Sequence, residues 1–173
     1  MPPAPATSAP APAPAAAPDF LARSLAADGV IVAAQPASTD IPAIAGAGVT
    51  RVLNLRTPEE MAALGFDEAA LFQAAGVSYA QSPIAGAAGY TGDVVDAYER
   101  ERQAAGGGTV LLHCGSGARA GAVHAAWLVR YRGATPTEAM QAVAPLGLWP
   151  LPLERLLGTP LRCGGEVEAG QQV

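Results

Sequence analysis

The chain has 173 residues, half of them hydrophobic and only 14% charged, with a net charge of −5. That length suffices for one domain with a substantial core, no apolar run reaches membrane-spanning length, and the acidic balance argues against nucleic acid or an anionic membrane as partner. The 2 His and 2 Cys are not spaced as a zinc site and allow at most one disulfide, so neither a metal nor another cofactor is expected.

Residues 1–18 are almost all Ala and Pro, a composition that cannot bury enough surface to fold and favours an extended, disordered segment. The segment lacks the basic start and apolar centre of a signal peptide. A cytoplasmic protein is the default expectation, and a periplasmic one follows if a signal peptide precedes this segment in a longer precursor. The folded domain is expected over residues 19–160, followed by a flexible tail over 161–173 that contains Cys163.

Asp19 to Ala27 reads as a short helix and Val30 to Ala34 as the first strand. Ser38 or Thr39 offers a cap for a helix through Ala45, ended by Gly46 and Gly48. A strand over Arg51–Leu55 follows. Thr57-Pro58-Glu59-Glu60 combines an N-cap, a proline in the first turn and a capping box, which assigns Glu60 to the helix start rather than to acid catalysis. Phe66–Ala75 reads as a helix stopped by Gly76, and Val77–Ala80 as a short strand. Ser82–Gly92 is a loop of small residues. Asp93 then opens a helix, where an acid complements the helix dipole, and Asp96 and Arg100 are spaced as an i,i+4 pair.

Val110-Leu111-Leu112 reads as a buried parallel strand. His113-Cys114-Gly115-Ser116-Gly117-Ala118-Arg119 makes a tight turn into a helix that is apolar nearly all round and therefore central. On that helix Ala120, Val123, His124, Trp127, Leu128 and Tyr131 share one face, and His124 reads as a hydrogen-bonded core histidine. Thr135-Pro136-Thr137-Glu138 repeats the capping pattern of Thr57–Glu60, and a last short helix covers Leu153–Leu157. Alternating strands and helices give an α/β layer with a mainly parallel sheet. The Cys114 turn lies at a strand's C-terminal end, where such sheets bind ligands.

The turn carries the chemistry. A strand that ends in glycines and feeds a helix points backbone N–H groups at one spot, and the helix N-terminus adds positive charge there. A cysteine at that spot with an arginine beside it favours the thiolate, which is the nucleophile. Arg119 offers a planar fork for two oxygens of a phosphate. Gly115 and Gly117 permit conformations that a Cβ opposes. The competing reading is a structural cysteine acting as a small apolar residue in a tight turn. His113, on the buried strand, reads as a brace for the loop.

His113-Cys114 with Gly117, Arg119 and Gly121 resembles the phosphate loop of the cysteine-dependent protein phosphatases, including the dual-specificity type. Gly29–Pro36 and the strand Val49–Arg56, ending in Asn-Leu-Arg, resemble a bacterial branch labelled beta-lactamase hydrolase-like. The similarity spans roughly residues 30–157. The usual pattern has five residues between Cys and Arg, and this chain has the four Gly115, Ser116, Gly117 and Ala118. The resemblance implies that Cys114 attacks phosphorus to form a phosphocysteine and that Gly115 to Arg119 bind the phosphate. It also implies that a loop at the place of Ser82–Gly92 supplies a general-acid Asp. That loop has none, and Asp93 is the nearest substitute in sequence. Ala120 stands where these phosphatases carry Ser or Thr, a hydroxyl that helps the sulfur leave, so slow turnover is expected. The expected substrate is a phosphorylated protein or small molecule. Two alternatives remain at this point: a rhodanese-like sulfurtransferase with a persulfide on Cys114, and a non-catalytic phosphate-binding module.

Overall fold

Val30–Ala33 (β2) and Thr109–His113 (β5) are parallel neighbours, and Val49–Asn54 (β3) lies parallel along the other edge of β5. Ser78–Gln81 (β4) continues the sheet parallel to β3. Leu25–Ala27 (β1) closes the other edge antiparallel to β2, giving the order β1-β2-β5-β3-β4. The computed structural model describes residues 18–146 and 150–160. The expectations for the Ala/Pro-rich start and for the tail with Cys163 fall outside them.

The mainly parallel sheet expected from the sequence is present, with β5 at its centre. Side chains of a strand alternate between the faces of the sheet, and this assigns the residues of β5. Val110, Leu112 and Cys114 join one core cluster, with Ala120, Val123 and Trp127. Leu111 joins the other, with Ile44 and Phe72, and His113 follows Leu111 by period two. The first face is covered by the helices Gly92–Ala104 (α5), Ala118–Arg132 (α6), Pro136–Val143 (α7) and Pro150–Leu157 (α8). The second is covered by Pro18–Ala22 (α1), Ile41–Gly46 (α2) and Glu68–Ala74 (α4). Pro58–Ala62 (α3) follows β3 directly.

Four sequence expectations change. The helix over Asp19–Ala27 stops at Ala22, and Leu25–Ala27 pairs with Val30–Val32 as a hairpin. Asp28 (φ 49°) and Gly29 (φ 74°) form its two-residue turn. An Asp-Gly pair with both φ positive matches the twist of the flanking strands, and that local preference overrides the helical reading. Neither Ser38 nor Thr39 caps α2. They lie in a 3₁₀ turn, Ser38–Asp40, in which the Asp40 carboxylate accepts from the Ala37 N–H at 2.8 Å. Asp96 turns to α6 rather than to Arg100, accepting from the Tyr131 hydroxyl at 2.6 Å and pairing with Arg130 at 3.3 Å. The buried stretch of α6 ends at Trp127, and Tyr131 is 41% exposed.

Other local readings hold. Thr57 and Thr135 each accept from the N–H three residues on, while Glu60 and Glu138 accept from the threonine N–H in return. His124 is buried, and its Nδ1 lies 3.0 Å from the Tyr98 hydroxyl while the ring stacks on Trp127. Burial, then the Arg102 charge, pulls the His124 pKa down to about 4.

Candidate active site

The site begins where β5 runs out. Cys114 is fully buried, and its Sγ accepts the Gly117 N–H at 3.2 Å. This contact needs the chain to reverse within three residues. Gly117 achieves it with φ +95°, a left-handed conformation that other residues resist. Gly115 is different. Its φ is not positive, and a Cβ there would meet the Arg119 guanidinium at 3.6 Å and Glu60 Oε1 at 4.0 Å, both ordinary contacts. Of the two glycines, only Gly117 is demanded by the backbone. The loop is tied to β2, since the Gly115 carbonyl accepts from the Gln35 N–H at 3.0 Å. Ser116 is exposed, with its hydroxyl 3.4 Å from the Ala118 N–H. Ala118 opens α6, which puts Arg119 in the first turn.

Arg119 is held on one side by protein. Its NH2 and NH1 donate to the two carboxylate oxygens of Glu60 at 2.6 and 2.9 Å. NH1 also faces the carbonyls of Ile84 and Leu55, at 3.0 and 3.4 Å. The Nε–H and the second NH2 hydrogen form the opposite edge of the fork, a pair of parallel donors of the kind that binds two oxygens of one anion. The Arg119 bond pulls the Glu60 carboxyl down to about 2. The same pair, with a further contribution from Cys114, raises the Arg119 pKa.

Glu60 is therefore both the cap predicted from sequence and the partner of Arg119. The second role has no local signal, because the two residues are 59 apart in the chain. A bonded network continues behind the loop. Arg56 donates to Gln35 Oε1 at 2.7 Å and lies 3.4 Å from Glu60. Gln35 Nε2 and the Tyr79 hydroxyl donate to the two oxygens of Glu68 at 2.5 and 2.6 Å, and Asn54 donates to the Tyr79 oxygen at 2.8 Å. His113 Nε2 lies 3.3 Å from Glu68 Oε2, both side chains being fully buried. Burial pushes the Glu68 carboxyl up, but His113, Tyr79 and Gln35 outweigh it and leave it below the ordinary carboxylate range. The brace expected of His113 is thus an ionisable pair with Glu68. Sequence reasoning missed Glu68, although a signal existed. It sits four residues before Phe72, on the buried stripe of α4, and an acid on an apolar stripe calls for a buried partner.

A cleft of about 620 Å³ opens beside Arg119, bordered by Thr57, Glu59, Glu60, Ile84 and Tyr90. Asp93 is exposed in the first turn of α5, and no hydrogen bond or ion pair joins it to Cys114 or Arg119. Gly92, just before it, lies against Arg130 and Leu156. Among the described residues no group of three His, Cys, Asp or Glu side chains could hold a metal ion, and no helix is long and apolar enough to cross a membrane.

A buried cysteine at the end of a central parallel strand, an amide aimed at its sulfur and an arginine in the next helical turn define a cysteine-dependent phosphatase of the protein-tyrosine and dual-specificity type. The chain belongs to the family described as the DSP-PTPase phosphatase domain of Swiss Army Knife proteins, which matches residues 23–147. Solved structures with the same fold include Tk-PTP in its active form (24% identity, covering 72% of this chain and 84% of that one, TM-score 0.60). PTPMT1 in complex with PI(5)P has 21% identity, covers 75% of this chain and 88% of its own, and has a TM-score of 0.64. TpbA of P. aeruginosa has 18% identity, covers 82% and 91%, and has a TM-score of 0.61; a variant of it has been solved in complex with pTyr. Among curated proteins none matches the chain.

Proposed function

We propose that this phosphatase hydrolyses phosphomonoesters through a phosphocysteine on Cys114. The observation that carries the reading is the buried Cys114 Sγ accepting the Gly117 N–H at the start of α6, with Arg119 in the first turn of that helix. In the first step the thiolate attacks phosphorus, and the bond to the ester oxygen breaks. The equatorial oxygens, where charge develops, meet the amides of Gly115, Ser116, Gly117, Ala118 and Arg119 and the Nε–NH2 edge of the Arg119 fork. In the second step water attacks phosphorus and the sulfur leaves. Ala120 gives that sulfur no hydroxyl partner, so hydrolysis of the phosphocysteine is the slow step. The related structures hold a phosphoinositide in one case and pTyr in another, and a phosphate ester is the substrate class proposed here.

The test is rapid mixing with p-nitrophenyl phosphate, with thiosulfate plus cyanide as the competing assay. The expected trace is a burst of nitrophenol followed by a slow steady rate. Cys114→Ser should abolish both phases while inorganic phosphate still binds, and Ala120→Ser should raise the steady rate without enlarging the burst. A Cys114→Ser variant that keeps more than about a tenth of the wild-type rate would sink the covalent mechanism. Sulfur transfer from thiosulfate without phosphatase activity would replace the reading altogether.

A further inference from the structure

The loop Ser82–Gly92 has no carboxylate, yet one of its residues can give a proton. Tyr90 borders the same cleft as Arg119. It is partly buried and packs against the core cluster that contains Cys114 and Ala120. Its backbone is held by the residues before it. The Tyr90 N–H donates to the Ala87 carbonyl at 3.4 Å. Gly89, immediately before it, is so close to Ile84 that an added Cβ would lie 3.0 Å from the Ile84 Cα. Ile84 in turn accepts from Arg119 through its carbonyl at 3.0 Å and donates its N–H to the Leu55 carbonyl at 3.0 Å. The loop is therefore bonded to the phosphate-binding arginine, and Tyr90 is the side chain it presents beside that arginine.

The geometry points to Tyr90 as the proton donor to the leaving oxygen, in the place a loop carboxylic acid would take. This inference rests on the phosphocysteine reading and names a residue that acts in its first step. As Cys114 Sγ bonds to phosphorus and the P–O ester bond breaks, the Tyr90 O–H proton passes to the departing oxygen and leaves a phenolate. In the second step the attacking water gives that phenolate its proton, the P–S bond breaks and the thiolate returns, so protons and charge balance over the cycle. Burial raises the Tyr90 pKa, the Arg119 charge lowers it, and the Cys114 charge raises it again. The net upward shift keeps the phenol protonated when substrate arrives. The more basic the departing oxygen, the more it gains from that proton, so the benefit grows from nitrophenolate to phenolate to alkoxide.

The other cleft acids are poorly suited. Glu60 is held ionised by Arg119, and Glu59 stands exposed to water on the first turn of α3.

The experiment is a series of substituted phenyl phosphates, plotting log kcat/KM against leaving-group pKa for wild type, Tyr90→Phe, Glu59→Gln and Asp93→Asn. Tyr90→Phe keeps the ring and its packing. It should steepen the slope, with a loss of about tenfold or more for phenyl phosphate and less than about twofold for p-nitrophenyl phosphate. Parallel lines for wild type and Tyr90→Phe, whether coincident or displaced, overturn the assignment, and so does a steeper slope in Glu59→Gln or Asp93→Asn with none in Tyr90→Phe. The two readings fail differently. A wild-type protein inert towards every aryl phosphate removes both, whereas an active protein with an unchanged Tyr90→Phe slope removes only this one.

Discussion

Gly117 and Gly115 look interchangeable in the sequence, and the fold separates them. Gly117 sits at φ +95°, and a Cβ there would approach Ala33, Ala34 and Leu146 at 3.5–3.6 Å. Contact at those distances is tolerable, so the cost of Gly117→Ala is the backbone conformation itself, about 1–2 kcal/mol. A relaxed loop would also turn the Gly117 N–H away from the sulfur. Gly117→Ala should therefore lower both the urea midpoint and the affinity for inorganic phosphate. Gly115→Ala fits its backbone and touches Arg119, so it should leave the urea midpoint within about 0.5 kcal/mol of wild type while changing phosphate affinity. A Gly117→Ala protein as stable as wild type would show that the loop does not hold this conformation. Sequence reading picked out Cys114, Gly115, Gly117 and Arg119 together but could not rank these glycines, because φ depends on where β5 ends and α6 begins. Nor could it see that Glu60 has two roles. A capping box is complete within four residues, whereas the fork of Arg119 comes from the helix after the neighbouring strand β5, 59 residues on.

The elements divide along the same line. The Thr57 and Thr135 caps, the mainly parallel sheet and the loop at the end of β5 were legible because each is a local pattern or follows from one. The β1–β2 hairpin was missed although its Asp-Gly turn was on view, because a short apolar run before it also suits a helix. Helix α4 is the more instructive case. Its hydrophobic spacing predicted a helix, and Glu68 was passed over as part of it. In the fold Glu68 gathers Tyr79, Gln35 and His113, and it links the strand that carries Cys114 to the arginine network that ends at Arg119. Removing one member of a buried hydrogen-bonded group leaves the others unpaired, at about 3 kcal/mol or more. Glu68→Ala should be strongly destabilising. Glu68→Gln keeps the shape but loses the charge facing His113, and it should cost less stability while still lowering phosphate affinity, since both ends of the loop are braced through this residue. Isothermal titration with phosphate, beside urea unfolding, separates the two effects. Unchanged affinity in a folded Glu68→Gln protein would show that the network supports the sheet and not the loop.

For the molecule as a whole, three groups make stability depend on pH in the same direction over different ranges. His124 is buried between Tyr98 and Trp127, with its folded pKa lowered from 6.5 to about 4. The unfolded chain takes up this proton more readily than the folded one, so stability is complete above about pH 6.5 and falls between there and about 4. The full effect is roughly 3 kcal/mol. Glu60 and Glu68 are both held below their ordinary 4.5. Their contribution is present above about 4.5 and is lost as the pH falls further, towards about 2 for Glu60. Acid destabilisation should therefore begin near pH 6, before the carboxylates of the unfolded chain titrate. His124→Gln should remove the upper part of this dependence and leave the lower part, whereas Glu68→Gln should flatten only the lower part. The measurement is the urea midpoint from pH 8 to pH 3 for the three proteins, with the slope of the unfolding transition checked for constancy. A wild-type midpoint that stays level down to pH 5 would mean that His124 accepts its proton without leaving the core. The α5–α6 contact would then have to supply it with an acceptor beyond the Tyr98 hydroxyl.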